Sequence, residues 1–312
     1  MRIAVVGAGA LGLYYGAVLQ RAGEDVQFLL RRDYDAVMET GLTVHSINGD
    51  FHLANVRGAR RPEEIGPVDL VIVGLKTFAN DRFPGLIAPL VGEETHILTL
   101  QNGLGNEEAL AGLFGPDRIL GGVAFLCANR GEPGTVYHLG AGRIELGAFA
   151  GASSDRVADV AAAFTRGGID CRVVADLRAA RWRKLVWNIP YNGLCALLDQ
   201  TVDRLQSFPP SRELVRLIMG EVIAAANTQG LNTPIEADFA EQMLVFTDDM
   251  GVYRPSMQID RREGRRLEID AIFSRPLSAG SAQGVNMPRV DMLRALLAIV
   301  DQDTTGVDVT AD

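Results

Sequence analysis

The amino-acid sequence predicts an α/β, Rossmann-type, doubly wound N-terminal domain followed by an all-α C-terminal domain. Three observations carry that expectation. The chain opens with "RIAVVGA", a continuous apolar strand that runs straight into glycines. Short β-branched runs then alternate with helical stretches as far as "CRVVAD", the pattern of buried strands joined by crossover helices. Beyond Asp176 helical periodicity takes over, so the expected boundary divides residues 1–176 from 177–312.

The elements follow in order. After the first strand, "LGLYYGAVLQRAG" places apolar residues at helical spacing and stops at Gly23. "DVQFLL" is a second strand, "VDLVIVGLK" a third, and "HILTLQNG" a fourth. "ILGGVAFLCA", "GTVYHLG" and "GRIELGAF" read as three later strands in a more antiparallel region. In the second half, "SRELVRLIMGEVIAAANTQG" is the clearest helix, with Ser211 as its expected N-cap and Gly230 just past its last turn. The polar end "DQDTTGVDVTAD" is expected to fray.

Bulk composition bounds the function. The chain has 312 residues, enough for two domains, and its 47% hydrophobic and 22% charged content is that of a soluble globular protein. No apolar run is long enough to span a membrane, and no secretion signal is visible, so a cytoplasmic location is expected. A net charge of -9 argues against nucleic acid as a partner. Cys127, Cys171 and Cys195 lack CxxC spacing and the four histidines form no HxxxH pair, so no metal is expected.

"VVGAGALG" holds Gly7, Gly9 and Gly12 in the G-x-G-x-x-G spacing, with Ala10 and Leu11 between the last two. A strand before it and a helix after it supply the context this motif needs to bind a dinucleotide. Gly7 permits the tight turn, Gly9 lets backbone approach a pyrophosphate, and Gly12 lets helix pack on strand. The helix N-terminus adds free N–H groups for phosphate. At the end of the second strand, where an NAD site carries an acidic residue, this chain has "LLRRD". Arg31 and Arg32 suit a 2′-phosphate through charge-assisted bonds, which points to NADP, while Asp33 remains available to a ribose. Lys76 and Asn102 close the next two strands, and ligands of open α/β sheets lie beyond such ends.

A nicotinamide cofactor carries the hydride, so the protein must bind, orient and supply a proton. In "RWRKLVWNIPYNG", Lys184, Asn188 and Asn192 fall four residues apart and share one face of an apolar helix. An ammonium there can polarise a carbonyl oxygen and then protonate it. Pro190 lies within the same helix, and a kink near Val186 that turns the polar face toward the crevice is expected. "YRPSMQIDRREGRRLEIDAI" reads for the most part as a salt-bridged helical surface.

Taken together, "GAGALG", "LLRRD", "GLKTF", "LQNGLGNEE", "GGVAFLCANRGEPGTVYHLGAGRIELG", "WRKLVWNIPYN", "PSMQIDRREGRRLEID" and "GVNMP" resemble the ketopantoate reductases (2-dehydropantoate 2-reductases) over nearly the whole chain. The resemblance implies NADPH-linked reduction of a 2-oxo acid on the route to pantothenate, with residues 1–176 binding NADP and 177–312 holding substrate. It implies Lys184 as general acid and Glu268 in the proton-transfer network. Asn188, Asn192 and Ser256 would hold the substrate's hydroxyl and carboxylate, and Asn102 would lie between nicotinamide and substrate. Lys76 matches a lysine near the cofactor, and Arg31 one that meets the 2′-phosphate. The polar line would then face a 2-oxo acid lying against the nicotinamide.

Departures from the family pattern are Tyr253 where asparagine is common, Pro255 where a second serine is common, and Phe273-Ser274 in place of Asn-Gly. They leave two alternatives open: a reductase of a different branched 2-oxo acid, and an NADP(H)-binding protein without catalysis. A homodimer through the helical domain also stays open.

Overall fold

The computed structural model describes residues 1–150 and 154–305. The polar end expected to fray lies, from residue 306 on, outside the described residues. The chain divides into two compact units, Met1–Leu177 and Arg178–Asp312.

The first unit is an α/β fold on one mixed, ten-stranded sheet. In chain order its elements are β1 (Arg2–Val6), α1 (Ala10–Arg21), β2 (Asp25–Leu29), α2 (Tyr34–Thr40), β3 (Leu42–Ser46), β4 (Phe51–Leu53), β5 (Arg57–Ala59), β6 (Val68–Val73), α3 (Phe83–Ile87), β7 (Val91–Thr99), α4 (Asn106–Phe114), β8 (Ile119–Arg130), β9 (Thr135–Ala148), α5 (Ser154–Arg166) and β10 (Cys171–Val173). The strands lie in the order β4-β3-β9-β8-β7-β6-β1-β2-β5, with β10 also on β9. From β5 through β8 all neighbours are parallel, and the order reverses between β1 and β6. That is the Rossmann-type, doubly wound half.

Alternation along the central strands explains why they read as continuous apolar runs. Ile3, Val5, Leu70, Ile72 and Leu98 enter one core with α1 and α5, while Ala4, Val6, Val71, Val73 and Ile97 enter a second core on the other face. Successive side chains point to opposite faces, so a sheet covered on both faces needs apolar residues at every position. The first core also takes residues of β3, β8 and β9, and every residue of α1 from Gly12 to Leu19 is buried. The sheet therefore curls around α1 as a half-barrel, and Tyr15 Oη reaches the Gly142 carbonyl of β9 at 3.1 Å.

Two expectations need correction here. "GTVYHLG" and "GRIELGAF" are one 14-residue strand, β9, antiparallel to β8. The register shifts twice, between Phe125/Leu126 and Cys127/Ala128, leaving Gly142 and Leu139 as extra residues on β9. Gly142 (φ 118) and Ala141 (φ 57) take up the first irregularity. Such bulges bend a long strand without ending it. In addition, β3, β4 and β5 are strands that no apolar run in the sequence marks.

The second unit is all-α: α6 (Leu177–Leu198, which starts at the boundary), α7 (Val202–Ser207), α8 (Pro209–Ala226), α9 (Phe239–Asp248), α10 (Ser256–Arg262), a π-helical turn at Asp270–Ser274, α11 (Arg275–Ala282) and α12 (Pro288–Thr305). α8 is its hub and packs on α7, α9, α11 and α12 through Val215, Ile218, Met219, Val222, Ile223 and Ala226, a helical stripe. Its N-cap position is Phe208 rather than Ser211, and Pro209 and Pro210 open the first turn, where a missing N–H is harmless. Ser211 Oγ instead donates to the carbonyls of Leu205 (2.6 Å) and Phe208 (2.9 Å). At the other end the helix stops at Ala226, before Gly230 (φ 68). No helix among the described residues is long and apolar enough to cross a membrane.

Candidate active-site elements in each unit

In the sheet unit, register brings the C-terminal ends of four strands side by side: Val6 pairs with Leu29 of β2 and with Val73 of β6, and Val73 pairs with Thr99 of β7. Gly7, Gly9, Ala10, Leu11, Gly12, Arg31, Lys76 and Asn102 all follow these ends. The three glycines differ in what a side chain would meet. Gly7 has φ +103, and a Cβ there would run into the Gly74–Leu75 backbone. At Gly12 a Cβ would collide with the Gly7 carbonyl, so α1 can lie this close to β1 only without one. Gly9, the N-cap position of α1, faces open space with nothing within 4 Å of its Cβ position. This is a cradle with backbone N–H groups at a helix start, and its residues fit the diphosphate of a dinucleotide.

The turn after β2 separates the cations from the acid. Asp33 is buried; its carboxylate is ion-paired with Arg130 and accepts the Gly134 N–H at 3.3 Å. Both oxygens thus already hold partners in the β8–β9 turn. Arg32 donates to the Gly131 carbonyl at 3.2 Å. Arg31 is exposed and makes no ion pair among the described residues. Lys76 leads into a short 3₁₀ turn, Thr77–Arg82, with its carbonyl accepting from Ala79 N at 3.0 Å.

In the helical unit, α6 runs unbroken through Pro190 and carries Lys184, Asn188 and Asn192. Asn188 and Asn192 are buried, which is unusual for carboxamides. The Asn192 Oδ1 accepts the backbone N–H of Met257 at 3.2 Å and lies 3.5 Å from Ser256 Oγ. α10 has no side-chain cap of its own, so Asn192 satisfies one of its orphan N–H groups from across the bundle. Ser256, first residue of α10, is thereby brought beside the polar line. Asn188 makes no side-chain hydrogen bond among the described residues, but its amide is not among the fully buried groups left unpaired. Glu268 is buried just before the π-helical turn, its carbonyl accepting from Ile272 N at 3.3 Å.

α10 also clamps the end of α6. Arg261 donates to the carbonyls of Ala196 and, at 2.9 Å, Leu197, two of the terminal acceptors of that helix. Arg262 grips Asp199 at 2.6 and 3.2 Å, and Gln258 reaches the same carboxylate at 3.0 Å. Arg265 pairs with Asp260. The expected salt-bridged surface thus also contains a helix cap. Cys195 sits one turn beyond Asn192, and burial, with Asp203 adding to it, pushes its thiol up to about 12. It stays a neutral packing group. Phe273, one of the departures, is fully buried and lies 3.1 Å from where a Cβ on Gly193 would stand. Tyr253 lies against Trp187, ring centroids 6.2 Å apart. Pro255 is the N-cap position of α10.

A dinucleotide cradle on a doubly wound sheet, followed by a helical unit with a line of polar groups, two of them buried, defines the class as a nicotinamide-dependent oxidoreductase. Comparison with known proteins gives the family. A family model described as ketopantoate reductase PanE/ApbA matches residues 3–151, and its C-terminal counterpart matches residues 176–301. A 2-dehydropantoate 2-reductase of Nostoc sp. is 41% identical, with 100% of this chain and 98% of the relative covered. The crystal structure of a 2-dehydropantoate 2-reductase from Geobacter metallireducens is 65% identical with a TM-score of 0.95, covering 96% of this chain and 99% of that one. A D-mandelate dehydrogenase in ternary complex with NADH and anilino(oxo)acetate is 25% identical with a TM-score of 0.88, covering 98% and 100%. The chain belongs to the ketopantoate reductase family.

Proposed function

We propose that this chain reduces 2-dehydropantoate to pantoate with NADPH, with Lys184 as the general acid. The observation that carries the reading is full-length identity of 41% to a 2-dehydropantoate 2-reductase, with the lysine and glutamate of the family pattern retained as Lys184 and Glu268. Bound NADPH supplies the hydride. The protein's share is binding and proton delivery. Residues 1–176 hold the cofactor: Gly7, Gly9, Ala10, Leu11 and Gly12 receive the diphosphate, Arg31 the 2′-phosphate, and Lys76 and Asn102 the nicotinamide end. An exposed Arg31, beside an Asp33 already committed elsewhere, supports NADPH over NADH.

Residues 177–312 hold the substrate. Lys184 polarises the keto oxygen and gives it a proton as charge builds there. Asn188 and Asn192, with Ser256, bind the hydroxyl and carboxylate. Glu268 orients the lysine and the substrate hydroxyl.

A second reading keeps the mechanism and changes the acid. A structural relative binds NADH and anilino(oxo)acetate, and Tyr253, Pro255 and Phe273-Ser274 depart from the family pattern. The test is a panel of branched, linear and aromatic 2-oxo acids, compared by kcat/KM with NADPH. The first reading expects 2-dehydropantoate to lead by at least about tenfold, or roughly 1.4 kcal/mol of transition-state binding. A lead by another acid supports the second.

A further inference from the structure

The sheet unit contains a buried chain of side-chain hydrogen bonds. Thr99 Oγ1 donates to Gln101 Oε1 (3.0 Å), Gln101 Nε2 to Asn80 Oδ1 (2.8 Å), Asn80 Nδ2 to Asn106 Oδ1 (2.9 Å), and Asn106 Nδ2 to the backbone carbonyl of Asn102 (2.9 Å). Every donor points the same way, from the end of β7 around to the residue three positions further on. Thr99 and Asn106 are fully buried, Gln101 nearly so, and Asn80 is half-buried. Turning over Asn80 or Asn106 would set donor against donor and oxygen against oxygen, and turning over Gln101 would set its Oε1 against Asn80 Oδ1, so the three orientations fix one another.

The chain has a destination. Asn102 lies between Gln101 and Gly103 (φ 81), and Gly105 (φ 87) is the N-cap position of α4. Two left-handed glycines fold this loop back so that Asn106, the first residue of α4, meets the Asn102 carbonyl four residues behind it. Asn80 enters from the other strand-end loop, in the 3₁₀ turn that begins after Lys76. A hydrogen-bonded unit therefore ties the loop after β6 to the loop after β7.

We propose that Asn106, with Asn80 and Gln101, is a positioning residue that sets the placement of Asn102 for hydride transfer. This rests on the reading that Asn102 serves the nicotinamide end of the site. Asn106 touches neither cofactor nor substrate in this account. It acts through the Asn102 backbone, and errors of about 1 Å in reacting groups can cost on the order of a hundredfold in rate.

Asn106→Asp is the direct test. The change keeps an acceptor for Asn80 but replaces the donor facing the Asn102 carbonyl with a second oxygen. Turnover is expected to fall about 10- to 100-fold, with NADPH affinity within about threefold of the parent. With NADPH deuterated at the transferred position, the isotope effect on kcat/KM should rise, because hydride transfer becomes the slow step. A purely structural lesion would lower melting temperature and the fraction of protein that binds NADPH, yet leave the isotope effect of the folded fraction unchanged. Asn80→Asp, at a half-buried position, is the second variant should the first not fold, with a loss of about tenfold expected.

Asn102→Ala separates the two levels. Impaired Asn102→Ala beside an Asn106→Asp or Asn80→Asp of parental turnover and isotope effect overturns the positioning role alone. NADPH affinity falling in step with turnover in Asn106→Asp also overturns it. Unimpaired Asn102→Ala overturns the role proposed for Asn102 and this inference with it.

Discussion

Gly7, Gly9 and Gly12 in the sheet unit work by lacking side chains, whereas Asn188 and Asn192 in the helical unit are side chains held inside a packed interior. The first unit offers backbone and an exposed guanidinium at the ends of strands. The second offers amides on a helix face, one of which also caps a neighbouring helix. The contrast has a physical source. A strand end leaves its next residues free to become loop, so a ligand can approach backbone there. A helix satisfies its own backbone, so only side chains can speak for it, and buried ones must be positioned by their neighbours.

The largest effect that sharpens this contrast is at Lys184. Lys184→Ala should lower turnover by about 10²- to 10⁴-fold while NADPH affinity stays within about threefold, as measured by steady-state kinetics and fluorescence titration. Equal losses in binding and turnover would erase the division of labour between the units.

Within the glycine motif the contrast can be broken on purpose. Gly12→Ala drives a Cβ into the Gly7 carbonyl and should destabilise the protein by about 1–3 kcal/mol in urea unfolding, with cofactor binding lost as well. Gly9→Ala meets nothing in the protein, so melting should be unchanged while NADPH affinity falls by about tenfold or more. If Gly9→Ala binds NADPH normally, the open space above Gly9 is not where the diphosphate lies. Arg31→Ala should weaken NADPH by about 10- to 100-fold and NADH by no more than about twofold, because only the former carries the 2′-phosphate. Equal weakening of both removes the selectivity role.

The smallest effect concerns the clamp on α6. Hydrogen bonds from Arg262 first, and then Gln258, hold the Asp199 carboxyl below its usual value. A depressed folded value means that its stabilisation is present above the ordinary carboxylate range and is lost as pH falls through the folded one. Asp199 has φ 53, a conformation asparagine tolerates, so Asp199→Asn isolates the charge. Being half-exposed, the pair is worth little, and the variant should melt about 1–3 °C lower at pH 7. The difference should shrink as pH falls below the ordinary carboxylate range toward the depressed folded value. A difference that persists in acid would trace to the backbone instead.

Legibility in the sequence followed the range of the interactions. The glycine motif, the apolar central strands and the Lys184–Asn188–Asn192 line are written within a few consecutive residues, and each reads from spacing alone. β9 reads as two strands in the sequence because its bulges at Leu139 and Gly142 look like turns unless the partner strand β8 is known. Ser211 resembles an N-cap locally, yet Pro209 and Pro210 already start the helix and its hydroxyl is spent on Leu205 and Phe208. Asp33 and Arg130 are 97 residues apart, and Asn80 and Asn106 are 26 apart. No periodicity marks such pairs. Ser256 and Glu268 stood out only through the family pattern, since each is one polar residue in a charged stretch.

The most direct measurement of the central claim is product stoichiometry. The full chain would be incubated with NADPH and 2-dehydropantoate, and pantoate formed would be counted against NADPH consumed. The account predicts one pantoate per NADPH, with NADH a poor substitute. Tight NADPH binding without consumption, or consumption without pantoate, would contradict it.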